Sequence, residues 1–132
     1  MRQLKFRAWD KVDKRMITHE QKFIPLKVTS MGVLRLRPDF IENLWELVSV
    51  ERFELMQFTG MTDKNGVDIY EGDIMMSPAA KPDSNIRVGV VEYADHHAQF
   101  ELVSSEYAQH MVDVRHYIID GNIYENPKKQ PF

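Results

Sequence analysis

The stretch "FTGMTDKNGVDIYEGDIM", Phe58–Met75, decides how this chain is read, because it packs three glycines, an Asn-Gly pair and a run of acids into a short length. A phosphate cradle would need a lysine directly after the glycines, and none follows. The residues read instead as backbone-shaping. Asn65-Gly66 supplies the positive backbone angles of a tight turn, and Asp63 ahead of it can accept amide hydrogen bonds. The following "DIYEG", residues 68–72, has an echo in "NIYEN", residues 122–126. Each reads as a capping Asp68 or Asn122, one helical turn through Ile-Tyr-Glu, and a left-handed close at Gly72 or Asn126. Gly60, Gly66 and Gly72 then position backbone, while Tyr70 and Tyr124 staple their turns to a sheet. Glu71 and Asp73 flank Gly72 as cap and turn carboxylates, since no nucleophile or base accompanies them as a catalytic acid pair would require.

Upstream and downstream the period is mostly two. "LKFRAWDKVDKRMI" alternates around a polar "DKVDK" and predicts a β-hairpin; "GVLRLR" predicts a strand with one wet, basic face. "PDFIENLWELVS" changes period, with Asp39 and Glu42 as a capping box and Ile41, Leu44, Trp45 and Val48 at helical spacing, so a short helix is expected over residues 40–47. From residue 51, "ERFELMQF", "GDIMM", "NIRVGVVEY", "AQFELVS" and "VDVRHYIID" predict five strands, and "SPAAKPDSN" at 77–85 predicts a loop. "ERFELMQF" is apolar on both faces and so must be covered on both. The expected fold is mainly β with minor α: an N-terminal hairpin and short-helix region over 1–50, then a small SH3-like barrel or strongly bent sheet over 51–132, in one compact unit.

The 132 residues suffice for one core, and 43% hydrophobic with 28% charged residues belongs to ordinary globular chains rather than disordered ones. Zero cysteines exclude disulfides and thiolate-bound zinc. No apolar run has the length of a signal or a membrane helix, so a cytoplasmic protein is expected. Charge is uneven: residues 1–40 carry ten Lys/Arg against four Asp/Glu, +6, and residues 41–132 carry seven against sixteen, −9. Arg2, Lys5, Arg7, Lys11, Lys14 and Arg15, with Trp9 to stack, form a candidate nucleic-acid contact, but Asp10 and Asp13 interrupt it. Of the histidines, His96 and His97 are adjacent and read as turn residues. His110, Asp113 and His116 could meet on a helix, whereas their segment alternates like a strand. No metal site, cofactor or catalytic residue is expected.

"KFRAWDK", "LMQFTGMTDKNGVDIYEGDIM", "VVEY" and the terminal "GNIYENP" together resemble the YopX family, small proteins encoded by bacteriophages and prophages. The matching motifs spread over nearly the whole chain. The resemblance implies a shared fold and a phage or prophage origin, so that the cytoplasm expected above is that of the host cell, and it transfers no catalytic residue. With an enzyme disfavoured, two binding roles stand open. One is an interaction module that forms homo-oligomers through the two-faced strand or holds a protein partner; the other is a nucleic-acid binder using the basic N-terminal residues.

Overall fold

The computed structural model describes residues 4–18, 26–29, 32–36, 45–48, 50–78, 86–104 and 108–129. These belong to two compact units, one formed by residues 6–55 and the other by residues 1–5 with 56–132.

In the first unit, β1 (Phe6–Asp10) and β2 (Arg15–Thr18) form the expected hairpin, with Ala8 opposite Ile17 and Asp10 opposite Arg15. Its turn ends at Lys14, which takes a left-handed φ of 54°. Three further antiparallel strands follow: β3 (Leu26–Thr29), β4 (Gly32–Leu36) and β5 (Trp45–Val48), with β4 in the centre. The expected helix over 40–47 is corrected at its C-terminal end, where β5 pairs with β4, Leu47 opposite Leu34 and Trp45 opposite Leu36. Residues 40–44 lie outside the described residues. Of the four apolar positions at helical spacing, only Trp45 and Val48 fall in "WELV". Its aromatic and β-branched residues suit a strand equally well, and a neighbouring strand decides between them. A 3₁₀ turn, Val50–Arg52, leads into β6 (Phe53–Thr62).

The second unit holds the end of β6, then β7 (Asp68–Tyr70), β8 (Asp73–Ser77), β9 (Ile86–Ala94), β10 (Gln99–Val103), β11 (Ala108–His110) and β12 (Ile118–Asn122). The last five make one antiparallel sheet in the order β11-β10-β9-β8-β12. Ile69, Met75, Val91, Leu102 and Val114 form its core. Ile74 beside Met75 and Val90 beside Val91 are all buried, so β8 and β9 are covered on both faces in their middles. Register shifts between Met75 and Met76 and between Ile119 and Asn122 add local twist. The fold is mainly β, in antiparallel sheets of which one is curled into a half-barrel. The bent-sheet form of the expectation is the one observed.

Two local expectations change here. "VDVRHYIID" is a strand only from Ile118, because Met111–His116 is a 3₁₀ helix that sends Val114 into the core and closes with Tyr117 N–H donating to Val114 O at 3.0 Å. Val112 and Val114 alternate, but alternation over so few residues does not distinguish these conformations. Likewise "DIYEG" is no helical turn. Asp68–Tyr70 pairs with β6, Tyr70 opposite Phe58 and Asp68 opposite Thr62, and only then does the chain turn at 71–72. Of the expected loop at 77–85, Ser77 ends β8 and residues 79–85 lie outside the described residues.

Candidate functional site

The signature residues 60–73 and 122–126 converge in the second unit, and the structure shows where their polar atoms go. Asp63 is buried and spends both carboxylate oxygens on backbone. Oδ1 accepts Asn65 N–H at 2.8 Å and Val67 N–H at 2.9 Å, and Oδ2 accepts Ile119 N–H at 3.1 Å. Gly66, at φ +79°, donates to Asp63 O at 3.0 Å and closes the turn; Asn65 itself keeps a negative φ. Lys64 N–H donates to Tyr117 O at 2.9 Å, so the turn is tied to the start of β12 twice. Gly60 is also left-handed, at φ +87°, with open space where a side chain would stand.

At the second turn Glu71 meets Gln57 twice: its Oε1 accepts Gln57 N–H at 2.8 Å and its N–H donates to Gln57 O at 3.0 Å. Asp73 Oδ2 accepts Tyr70 N–H at 2.8 Å and so stays inside the turn. Gly72 has φ +85°; its N–H donates to Val91 O at 2.8 Å and its carbonyl accepts Ile123 N–H at 3.0 Å. A Cβ there would stand 3.4 Å from Met56 Sδ and 3.5 Å from the Tyr124 ring. The two echoing motifs therefore pack on each other. Tyr70 rests its ring against Phe58, centroids 5.6 Å apart.

The C-terminal motif caps as expected at Asn122, whose Oδ1 accepts Tyr124 N–H and Glu125 N–H at 3.1 and 2.9 Å, while Asn126 N–H donates to Asn122 O at 2.9 Å. The left-handed residue is Gly121, at φ +97°, and not Asn126. A Cβ at Gly121 would overlap Asn126 Oδ1, which also accepts Asn122 N–H. These carboxylates and amides are occupied with backbone and converge on no shared position where a substrate atom could sit.

The basic residues fare similarly. Arg2 lies outside the described residues. Lys5 makes an ion pair with Asp68 and lies over the Phe58 ring, 4.4 Å from its centroid. Lys11 pairs with Glu54 at 2.7 Å and Arg15 with Asp13 at 3.7 Å. Arg7 is half-buried, and Trp9, only 9% exposed, does not present a ring for stacking. Lys14 is exposed. His96 and His97 do fall in a turn, with His97 Nδ1 2.7 Å from Glu101 Oε1. Among the described residues no group of three His, Asp or Glu gathers as a metal-ligand set, and no helix is long and apolar enough to cross a membrane. The side chains of His110 and Asp113 are outside the description.

One arrangement went unforeseen in the sequence. Asp10 is buried, and its Oδ1 accepts Val12 N–H at 3.0 Å, Asp13 N–H at 3.1 Å and Arg52 Nε–H at 2.9 Å, while Arg52 Nη2 reaches Oδ2 at 2.9 Å. Burial by itself raises this carboxyl. The hydrogen bonds from Arg52 and from the Asp13 and Val12 amides, with the guanidinium charge, outweigh burial and hold Asp10 below the ordinary carboxylate value. The available signal was an Asp at the start of a hairpin turn; its partner stands 42 positions away.

A small antiparallel β protein results, whose signature residues fasten turns to sheets. The chain matches the model for the YopX family, described as "YopX protein", over residues 5–129, and it belongs to that family. Among solved structures it is similar to the crystal structure of protein EF1440 from Enterococcus faecalis, with TM-score 0.61 and 26% identity over 97% of this chain and 98% of that one. It is also similar in fold to protein yopX from Bacillus subtilis, with TM-score 0.60 and 20% identity over 97% and 95% of the two chains. No curated protein matches the chain.

Proposed function

We propose that this protein is a phage- or prophage-encoded accessory protein of the host cytoplasm that acts without catalysis, as an interaction module associating with further copies of itself. The observation that carries this reading is an aromatic patch at the end of the β9–β10 hairpin. Tyr93, 44% exposed, meets Phe100 edge to face at 5.2 Å, and an exposed Tyr backed by a second ring is the type of residue that protein interfaces favour. Further along β9, Ile86 is 66% exposed. The two-faced strand β6 offers less surface for a partner, since Phe53, Met56 and Phe58 are buried within the chain and Leu55 is its exposed large residue. The other reading, nucleic-acid contact through Arg2, Lys5, Arg7, Lys11, Lys14 and Arg15, has less in its favour because Lys5, Lys11 and Arg15 already face carboxylates.

Size exclusion coupled to light scattering, over a dilution series, tests the proposal. The parent chain is expected above its monomer mass and Tyr93→Lys is expected to shift toward it. A monomer at every concentration overturns self-association. A mobility shift with nucleic acid that weakens steeply with salt would favour the other reading.

A further inference from the structure

We infer that Asn65 is a deamidation site and that the Asp63 carboxylate is the latch that sets its rate. Asn65 and Gly66 are both exposed at the tip of the β6–β7 hairpin. The chemistry needs only the chain and water. The Gly66 amide nitrogen attacks the Asn65 side-chain carbonyl, a C–N bond forms, and ammonia leaves. Water then opens the resulting succinimide at one carbonyl or the other, giving an aspartyl or an isoaspartyl link. Glycine in the second position puts no side chain in the path of that attack.

The fold opposes the step at its first atom. Gly66 N–H is engaged by Asp63 O at 3.0 Å, and Asp63 Oδ1 fixes the flanking Asn65 and Val67 amides, so the attacking nitrogen is held in the turn's own hydrogen bond. Asp63 is itself anchored, since its other oxygen takes Ile119 N–H. Lys64 N–H on Tyr117 O adds a second tie to the sheet. Reaction therefore passes through a local opening of the turn, and its rate in the folded chain is the unprotected rate reduced by the population of that open form. Once formed, the product does not close again in the same way. An isoaspartyl link adds a methylene to the backbone between Asp63 and Val67, and either acid places a negative charge beside the buried Asp63 carboxylate.

The test is a time course at neutral pH on the full chain, with peptide mapping and mass spectrometry separating the amide, acid and isoaspartyl forms at position 65. A synthetic peptide of residues 62–70 gives the unprotected rate. The peptide should convert, the folded chain should convert about tenfold more slowly or slower still, and Asp63→Ala should approach the peptide's rate while Glu71→Gln keeps the parent's. A peptide that does not convert removes the site. A folded chain as fast as the peptide removes the protection, and a folded Asp63→Ala chain as slow as the parent removes the latch. Should Asp63→Ala fail to fold, hydrogen exchange of the Gly66 amide in the parent decides: its protection must match the slowing of deamidation within about threefold, and a mismatch overturns the proposal.

Discussion

Gly72 sits where three demands meet: a left-handed backbone angle, a hydrogen bond to Val91 on one side and one from Ile123 on the other. Gly72→Val should cost roughly 1–2 kcal/mol or more in a thermal or denaturant melt, because the branched side chain is strained at that φ and also presses on Met56 and Tyr124. Gly60→Ala carries the backbone strain alone, with nothing nearby, and should cost about 1 kcal/mol. Glu71→Gln keeps the oxygen that Gln57 N–H uses and should change stability little; if it proves worse than Gly72→Val, Glu71 has a role beyond the turn. Asp10 sets a pH dependence. Its folded carboxyl lies below the unfolded value, so its contribution is fully present above the unfolded value of about 4 and is lost as pH falls through the folded one. Denaturant melts should therefore show stability falling with acid below about pH 4, and Asp10→Asn should flatten that fall while costing about 1–3 kcal/mol at neutral pH, since the Arg52 guanidinium loses the buried one of its charged partners and keeps only the half-exposed Asp13 beside it.

At the scale of elements, β9 and β10 approach each other closely at Gly89, where a Cβ would lie 2.8 Å from Val103 O and 3.1 Å from Leu102 Cγ. Gly89→Ala must push one strand away, and a loss of about 1–3 kcal/mol is expected in the same melts; an unchanged midpoint would mean that the curl of the sheet does not depend on this contact. The sequence makes β9 itself plain, through Val88, Val90 and the "VVEY" that follows, but says nothing of the neighbour that excludes a side chain at residue 89. The same division runs through the chain. The β1–β2 hairpin, β4 and β10 are legible, because each combines alternation with turn residues at its ends, and β8 is legible as a short apolar run directly after the turn at Gly72. β7 and β11, three residues each, are too short to carry a period, and β5 satisfied a helical spacing by coincidence until β4 paired with it. In the signature region the turn at Asp63 and Gly66 and the cap at Asn122 were readable because they are local. The packing of Gly72 on Tyr124 and the Asp10–Arg52 pair join distant residues, which no local pattern encodes.

For the whole molecule, charge and apolar surface make different demands on association. The +6 and −9 read along the chain suggest strong mutual attraction between parts, yet over the two compact units the balance becomes +1 for residues 6–55 and −4 for the remainder. Part of the basic N-terminal charge is thus matched within its own unit, by contacts such as Lys11 with Glu54 and Arg15 with Asp13. Little is left over to draw a second copy by Coulomb attraction, and what remains is screened within about 10 Å at ordinary ionic strength. If copies associate through Tyr93 and Phe100, the contact is mainly apolar, and burial of apolar surface is not weakened by salt. Raising salt to about 0.5 M should therefore loosen the oligomer only in part, whereas Tyr93→Lys should dissociate it at low and high salt alike. Light scattering after size exclusion checks both arms: a mass that falls to 15.5 kDa with salt alone would mean that charge, and not the β9–β10 patch, holds the copies together.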